Sequence, residues 1–360
     1  MATLGEWDVA IVGGGIFGLA CACACARKGR TSIVLERDAV GSGASGGPVG
    51  ALAPFSPRPW TPLKQFQFDG LVSAAAYWEG VDGEAGTASG YGRVGRIVPL
   101  SSEQARERAL ISASAAESHW GGQFSMSIEP GDGILAGSGH GRFGVVRDTL
   151  SARIGPMAAC LALRQVARNL GIEILEHCEV VGAEPGGVLT EAGEIRSGAT
   201  VLAAGADTFR LLDNTVPEIL GGGVKGQAAL VEYDLRGAPV IQAGRIFVVP
   251  HANGTVGIGS TRETEWDDRF GTDERLDDVI DEACSIVPAL RNARLLRRWA
   301  GLRPRAIRSN PLVGPVPGRR GLYVATGGHG IGFSIAHMVG EIVAAMILGL
   351  PHDLPPEFTP

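Results

Sequence analysis

Short apolar runs bounded by glycine recur along the chain, and two of them lie close together in its first forty residues. Residues 8–12 (DVAIV) form an apolar run typical of a buried strand, and a glycine-rich segment follows them. A second apolar run, residues 31–36 (TSIVLE), ends at Glu36. The residues between the two runs end in two basic residues and Gly29, as helix C-termini commonly do. The pattern therefore predicts a βαβ unit from Asp8 to Glu36.

Three cysteines, Cys21, Cys23 and Cys25, lie at alternate positions of the predicted helix. Alternation is typical of a strand, but the flanking residues favour a helix, in which Cys21 and Cys25 share one face. The chain has no C-x-x-C pattern and its other three cysteines are isolated, so a zinc site with four convergent ligands is not indicated. We predict no metal site. Alanine and cysteine side chains instead predict a thin helix that can lie close to a sheet.

Later apolar runs repeat this alternation of strand and helix. Residues 154–184 indicate a helix followed by a strand, and residues 199–208 indicate another buried strand. Residues 321–347 indicate a strand, a glycine-rich loop and a long helix. These segments are typical of a nucleotide-binding α/β domain.

Three other segments have a different pattern. Residues 244–263 predict a β-hairpin with Asn253 and Gly254 at its turn. Residues 272–290 predict a helix that ends at a proline, and residues 91–148 predict strands with a helix. We therefore expect a nucleotide domain that is interrupted by two insertions, which together build a substrate domain.

The predicted fold is a mixed one, α/β with α+β: a Rossmann-like domain with an interleaved antiparallel-sheet substrate domain. We assign residues 1–85, 149–220 and 297–360 to the nucleotide domain. We assign residues 86–148 and 221–296 to the substrate domain.

Composition and charge exclude several classes of protein. The chain has 360 residues, of which 45% are hydrophobic and 19% charged, as in globular proteins. Its formal net charge of −6 offers no basic surface for nucleic acid. The segment 331–349 contains His337 and Glu341, so we expect a buried helix and no membrane span. The first residues lack the pattern of a signal peptide, and scattered cysteines fit a reducing compartment, so we expect a cytoplasmic protein.

The glycine spacing in the βαβ unit is that of a dinucleotide site. Gly13 permits the tight turn, Gly15 lets the backbone approach a pyrophosphate, and Gly18 brings helix and strand together. The helix N-terminus then faces the phosphates. Glu36, at the end of the second strand, is placed to accept hydrogen bonds from a ribose diol.

A competing motif, GASGG at residues 43–47, matches the nucleophile elbow of hydrolases, with Ser45 as the nucleophile. That elbow requires a strand that leads directly into the serine and a helix directly after it. Ser45 lies nine residues beyond Glu36, and Pro48 follows. We therefore do not expect a hydrolase.

Motifs spread over most of the chain resemble the D-amino-acid oxidase superfamily of FAD enzymes, especially glycine oxidase and D-amino-acid dehydrogenases. These motifs are VGGGIFGLACACACARKGRTSIVLER, GASGGPVGALAP, VLAAGADT, VKGQAALVE, IFVVPHANGTVGIGSTRE, WAGLRP and LYVATGGHGIGFSIA. The resemblance implies a GR2-type FAD-binding domain and selects non-covalent FAD rather than NAD as the cofactor.

The resemblance also implies which residues contact FAD. The glycine-rich turn would contact the pyrophosphate and Glu36 the ribose, Ala44 and Ser45 would lie near the phosphates, and the loop 328–332 would meet the flavin. The full set of implied cofactor contacts is Gly13, Gly15, Ile16, Phe17, Gly18, Glu36, Arg37, Ala44, Ser45, Val180, Ala204, Gly205, Gly328, His329, Gly330, Ile331 and Gly332.

For the substrate, the resemblance places Arg303 of WAGLRP where glycine oxidase-like enzymes bind the amino-acid carboxylate. A planar guanidinium suits a carboxylate because it can bind both oxygens. Arg305 and Arg308 are nearby alternatives in the sequence. Phe247 stands where glycine oxidase has a tyrosine, and His329 is a candidate to lie beside the flavin.

The implied reaction is oxidation of an amino acid or N-substituted glycine, such as a D-amino acid, glycine or sarcosine. Hydride transfer to flavin N5 leaves an imine, which water hydrolyses to a 2-oxo acid, and the electrons pass to O2. No residue is assigned as acid or base, since a neutral amine needs only orientation. The alternatives are an amino-acid dehydrogenase that uses a quinone or carrier protein, an FAD oxidase of the tRNA-modification type, and a flavin subunit of a heteromeric complex.

Overall fold

The computed structural model describes residues 3–131, 133–212 and 221–360. Residues 213–220, at the end of one predicted nucleotide segment, lie outside the described residues, as do residues 1–2. The seven α-helices of this part are α1 Ile16–Arg27, α2 Pro62–Ala85, α3 Glu103–His119, α4 Pro156–Asn169, α5 Asp207–Leu212, α6 Glu274–Ile286 and α7 Gly332–Ile347.

Eighteen strands accompany these helices. They are β1 Thr3–Val12, β2 Ser32–Leu35, β3 Ala51–Leu52, β4 Arg96–Pro99, β5 Met126–Glu129, β6 Val145–Asp148, β7 Ala152–Arg153, β8 Glu173–Leu175, β9 Val180–Glu184, β10 Gly187–Thr190, β11 Glu194–Leu202, β12 Gly221–Glu232, β13 Val240–Ala243, β14 Ile246–Pro250, β15 Thr255–Gly259, β16 Arg294–Ala306, β17 Leu312–Pro315 and β18 Leu322–Thr326.

The first sheet has the strand order β17-β18-β11-β1-β2-β8, with the hairpin β9–β10 attached to β11. β18, β11, β1, β2 and β8 pair in parallel, and only β17 along that path is antiparallel to its neighbour. Parallel strands joined by a helix form the βαβ unit that the sequence predicts, and the unit β1-α1-β2 is confirmed.

Both faces of the first sheet are covered, which explains why its strands are apolar without alternation. Val9 and Ile11 of β1 belong to the core formed with α1, α2, α4 and α7. Ala10 and Val12, which point the other way, belong to a second core beneath the β9–β10 hairpin.

Helix α1 has no polar face. All ten residues from Ile16 to Cys25 are buried, because α1 lies between the sheet and the helices α4 and α7. Cys21, Cys23 and Cys25 are each at most 1% exposed and free of disulfides. Burial raises the pKa of the Cys23 and Cys25 thiols to about 12, so these cysteines act as small apolar side chains.

The second sheet has the order β16-β12-β15-β14-β13-β4-β6-β5 and is antiparallel except between β13 and β4. Helix α6 covers one face of it through Leu276, Val279, Ala283 and Ile286. The predicted hairpin is confirmed as β14–β15, with Gly254 at a positive φ of 83° in its turn.

The mixed α/β class that the sequence predicts is confirmed. The strands of the first sheet come from the segments assigned to the nucleotide domain, and β4–β6 and β12–β15 come from those assigned to the substrate domain. The boundary predicted at residue 297 falls within β16, which pairs with β12 throughout. The domain boundaries themselves stay a prediction. The apolar pattern did not predict α2. This helix begins after its N-cap residue Thr61 and ends at Gly86.

Candidate functional site

A cleft of about 430 Å³ lies between the two sheets. Its first wall contains the ends of β1, β2 and β11, the start of α1 and the loop between β18 and α7. Its second wall contains residues of β12, β14 and β16 and of the loop that follows β15. The carboxyl ends of parallel strands are where open α/β sheets bind their ligands.

The turn between β1 and α1 depends on two glycines. Gly13 has a positive φ of 112°, and a Cβ there would lie 2.5 Å from the carbonyl oxygen of Ala203. Gly18 lies inside α1, and a Cβ there would lie 1.9 Å from the carbonyl oxygen of Gly13. Both positions therefore require glycine so that the strand, the turn and the helix can meet.

Gly18 does not line the cleft. Its position confirms the predicted close approach of helix and strand, and its implied contact with a pyrophosphate stays a prediction. Gly13 and Gly15 do line the cleft. Because neither has a side chain, the cleft wall at these two positions is backbone.

The Glu36 carboxylate is held by two backbone amides, one in the turn between β1 and α1 and one just after β2. Its Oε2 atom accepts a hydrogen bond from the Gly14 amide at 2.6 Å, and its Oε1 atom accepts one from the Asp38 amide at 3.0 Å. Glu36 also lines the cleft, so its position is set before any ligand arrives.

Ser45 lies in a short 3₁₀ turn, Ala44–Gly46, and not in a strand-to-helix elbow. Its Oγ atom accepts a hydrogen bond from the Ile16 amide at 3.0 Å. Ser45 thus satisfies one of the free amides at the start of α1, which explains its place beside the turn without a nucleophilic role.

An ion-pair cluster connects the two walls. The Asp207 carboxylate accepts from Arg37 Nη1 at 3.0 Å and from Arg269 Nη2 at 2.9 Å. Burial favours a higher pKa for Asp207, but the two arginines outweigh it and hold the pKa below its usual value. Asp207 therefore stays ionised and pairs with both cations, and Arg37 has a second acidic partner in Asp38.

The loop from Thr326 to Gly332 joins the same cleft. Thr326 Oγ1 donates to the Gly205 carbonyl at 2.8 Å, which ties this loop to the end of β11. The His329 amide donates to the Pro304 carbonyl at 3.0 Å, which ties it to β16. His329 has a positive φ of 39°.

The His329 side chain is kept neutral. Burial, together with the positive charges of Arg303, Arg262 and Arg305, lowers its pKa to about 4. Its buried Nδ1 atom has no hydrogen-bond partner among the described residues. An uncharged imidazole therefore borders the cleft at neutral pH.

Arg303 projects from β16 into the cleft. Its Nη1 donates to Ser260 Oγ at 3.0 Å and its Nη2 donates to the Thr261 carbonyl at 2.8 Å. In the part of the chain that the structure describes, Arg303 forms no salt bridge, and its buried Nε has no partner. Burial lowers the pKa of Arg303, as expected for a partly desolvated cation that lacks an anionic partner.

The neighbouring arginines are placed differently. Neither Arg305 nor Arg308 lines the cleft; Arg305 donates to Ser309 Oγ at 3.1 Å, and Arg308 is exposed. Phe247 does line the cleft, and its ring is an apolar part of the wall.

The groups that hold Arg303 were not predicted from the sequence. Ser260 and Thr261 follow β15 directly, and Thr261 Oγ1 donates to the Glu263 carboxylate. Gln227 Nε2 bridges Glu263 at 3.1 Å and Asp273, the cap of α6, at 2.8 Å. The only signal in the sequence is that GSTRE ends a predicted strand beside the site.

All other predicted cofactor and substrate residues line the cleft. On the first wall these are Gly13, Gly15, Ile16, Phe17, Glu36, Arg37, Ala44, Ser45, Val180, Ala204, Gly205, Gly328, His329, Gly330, Ile331 and Gly332, and on the second wall Phe247 and Arg303. Their roles toward a ligand stay predictions.

The cleft fits FAD. A backbone-lined turn at the N-terminus of α1 provides amides for a pyrophosphate, with the anchored Glu36 carboxylate at one end. The cleft continues past Ala44 to the start of α7, so one elongated ligand can reach from Glu36 to His329. Among the described residues no group of His, Cys, Asp and Glu side chains could hold a metal ion, and no helix is long and apolar enough to cross a membrane.

Comparisons with known proteins agree with this geometry. The model of a family described as FAD dependent oxidoreductase matches residues 8–346. Glycine oxidase from Pseudomonas putida is 28% identical over 371 aligned positions, which cover 95% of this chain and 94% of that protein. Glycine oxidase from Bacillus licheniformis is 27% identical, with 96% and 94% covered. The crystal structure of glycine oxidase from Geobacillus kaustophilus has the same fold, with a TM-score of 0.90, 24% identity and 98% of each chain covered.

Proposed function

The chain belongs to the family of FAD-dependent oxidoreductases, and we propose that it oxidises an amino acid or an N-substituted glycine at this cleft. The substrate carboxylate binds Arg303, and the Cα–H bond of the substrate is oxidised. Glycine oxidases are among the relatives that match along nearly the whole chain, which supports a small amino-acid substrate.

The observation that carries this proposal is the state of Arg303. Its guanidinium lines the cleft and has three neutral oxygen partners, Ser260 Oγ and the carbonyls of Thr261 and Lys225. Its Nε–H has no partner, and it has no salt bridge among the described residues. A partly buried cation of this kind favours an anionic ligand, because the ligand replaces the solvation that the arginine has lost.

Ser260 and Thr261 orient this arginine. Each binds one terminal nitrogen, so the guanidinium plane is held before the substrate arrives. Preorganised donors lose little entropy when they bind a carboxylate, and a fixed carboxylate fixes the position of the Cα atom.

The cofactor supplies the hydride acceptor when it is bound. Residues proposed to hold FAD are Gly13 and Gly15 at the pyrophosphate, Glu36 at the ribose, and the loop before α7 beside the flavin. Thr326 binds that loop to the first wall and His329 binds it to the second wall, so hydrogen bonds fix its position relative to both.

We assign no side chain as acid or base. The end of the cleft that contains Arg303 and His329 is called the substrate end. The described lining residues there include no carboxylate from the second wall, and His329 is uncharged at neutral pH. The substrate amine reacts in its neutral form: Cα loses a hydride and nitrogen a proton, and the resulting imine takes up water. The products are a 2-oxo acid and ammonia or an amine, and O2 takes two electrons and two protons to become H2O2.

Anaerobic reduction of the bound flavin tests this function. The purified protein is mixed without oxygen with glycine, sarcosine, other N-alkyl glycines and D-amino acids, and the flavin absorbance is followed. We expect at least one compound to bleach the flavin, and admission of air to restore it with one H2O2 per turnover. The proposal is wrong if dithionite bleaches the flavin and no amino acid does. Substrate bleaching without reoxidation by air would instead indicate a dehydrogenase with another acceptor.

A further inference from the structure

The second wall of the cleft is strongly cationic. Four arginines from this wall line the cleft, Arg245, Arg262, Arg269 and Arg303, and no described carboxylate of the same wall does. The end of the cleft that contains Gly13 and Glu36 is called the nucleotide end. The acidic lining residues all come from the first wall, at this end. The substrate end therefore carries an excess of positive charge.

Two of the four arginines are neutralised by protein carboxylates. Arg269 pairs with Asp207 at 2.9 Å, and Arg245 pairs with Glu282 at 3.4 Å. Arg303 and Arg262 have no salt bridge within residues 3–131, 133–212 and 221–360. Glu263, which follows Arg262, is engaged elsewhere, with Arg275 at 3.2 Å and Lys225 at 3.8 Å.

The two arginines without a salt bridge, Arg262 and Arg303, both adjoin the segment Ser260–Thr261. The Thr261 carbonyl holds Arg303, and Arg262 is the next residue along the chain. Arg262, Arg303 and His329 all line the same cleft. Arg303 is partly buried, whereas Arg262 is exposed. Two cations that line one cleft without an acidic partner among the described residues favour a ligand with two negative groups.

We propose that the substrate class is an amino acid with a second carboxylate, in which Arg303 binds the α-carboxylate and Arg262 the second one. This inference rests on the proposed function, because it takes Arg303 as the anchor. Phe247 and Trp299, which also line this end, provide apolar surface for the methylene groups between the two carboxylates.

The second carboxylate can be attached to nitrogen or to the side chain, and the chemistry balances in both cases. For N-carboxymethylglycine, the Cα–H electrons pass to the flavin and then to O2, and the imine takes up water. One diacid, one O2 and one water give glycine, glyoxylate and H2O2. For an acidic amino acid the products are the oxo diacid, ammonia and H2O2.

Matched pairs of probes isolate the second charge. N-carboxymethylglycine is compared with N-carbamoylmethylglycine, in which an amide replaces the second carboxylate at equal size. Aspartate is compared with asparagine, each as both enantiomers, to show where the second group is attached. The readouts are kcat/KM and the Kd obtained from the change in flavin absorbance when the probe binds anaerobically. We expect a diacid-to-amide ratio of kcat/KM of at least tenfold in one pair.

The variants Arg262→Gln and Arg262→Lys test the residue itself. Arg262→Gln should reduce the diacid-to-amide ratio to about one without change for the amide probe, and Arg262→Lys should keep part of it. Arg308→Gln removes one exposed charge away from the cleft and should leave the ratio unchanged. The proposal would be overturned if the diacid-to-amide ratio of kcat/KM were unchanged in Arg262→Gln. It would also be overturned if that ratio were about one in the unmodified protein.

The same experiment separates this inference from the proposed function. Arg303→Gln should weaken the diacid and the amide probes alike, since both contain the α-carboxylate. If Arg303→Gln has this effect while Arg262→Gln has none, only the second contact is wrong. If no diacid or amide probe binds or reduces the flavin while glycine or sarcosine does, only this inference is wrong. If glycine, sarcosine and the other amino acids also fail, both proposals are wrong.

Discussion

The two ends of the cleft are built from different kinds of groups. At the nucleotide end, the wall is a glycine turn and one carboxylate that accepts two backbone amides, and all of these lie between Asp8 and Asp38. At the substrate end, the wall is a set of arginines whose described partners come from helices α5 and α6, from β12 and from the loop after β15.

This difference separates two sources of specificity. The nucleotide end needs close backbone approach, and its side chains matter mainly by being absent or short. The substrate end depends on which charges are left without a partner, and a single substitution there changes the ligand without changing the fold. Substitutions at the two ends should therefore fail in different ways.

The largest effect is expected at Gly18. In Gly18→Ala the new Cβ would meet the Gly13 carbonyl oxygen at 1.9 Å, so strand, turn and helix must move apart. We expect loss of bound FAD and a clear fall in Tm, measured by the flavin absorbance of the purified protein and by thermal unfolding. Gly80→Ala in α2 is the control, because no atom lies within 4 Å of the added Cβ. Normal FAD content in Gly18→Ala would show that the turn is not needed.

Arg303→Ala should give the largest effect that leaves FAD bound. Loss of one partner of a desolvated charge pair costs about 2–5 kcal/mol, which is about thirty- to several-thousand-fold in kcat/KM. Arg303→Lys should recover only part of this, because an ammonium lacks the planar fork. Flavin content and anaerobic reduction by the best substrate are the measurements.

The controls for Arg303 are its neighbours in the sequence. Arg305→Ala and Arg308→Ala should reduce normally, since neither side chain lines the cleft. If one of these abolished substrate binding while Arg303→Ala did not, the carboxylate site would be misassigned.

Glu36→Gln should weaken FAD binding and leave the substrate end intact. A glutamine can offer one acceptor oxygen, so its amide would face either the Gly14 or the Asp38 amide donor to donor. The loss of such a contact costs about 1–3 kcal/mol, or about five- to 150-fold in the Kd for FAD. Titration of the apoprotein gives this Kd, with the exposed Glu173→Gln as control. A changed KM at saturating FAD would argue against the separation of the two ends.

The smallest effect is a pH dependence at His329. Its folded pKa of about 4 is below the ordinary value of 6.5, so the unfolded chain binds a proton that the folded one does not. The contribution of His329 to the free energy of unfolding is complete above about pH 6.5 and is lost as the pH falls toward 4. We expect Tm to fall between pH 7.5 and pH 5, and to fall less in His329→Asn, since asparagine tolerates the positive φ. An identical fall in both proteins would show that His329 is not held neutral.

Much of the nucleotide end could be predicted from the sequence because its determinants are local. The apolar runs, the glycine spacing and Glu36 lie within one short segment, and neighbouring residues alone decide that segment's strand, turn and helix. The resemblance to a family added FAD and the anchor Arg303. Gly18 packs against the turn as its spacing predicts, and it does not line the cleft.

The charge balance of the substrate end was decided by the tertiary structure. The sequence shows many arginines in this region. Only the fold pairs Arg269 with Asp207 and Arg245 with Glu282, while Arg262 and Arg303 have no acidic partner in the described parts of the chain. Electrostatic interactions depend on distance in space and on burial, and neither quantity is a property of neighbouring positions in the chain. Local patterns thus predicted the proposed nucleotide end of the cleft, and long-range pairing determined which of its described arginines lack an acidic partner.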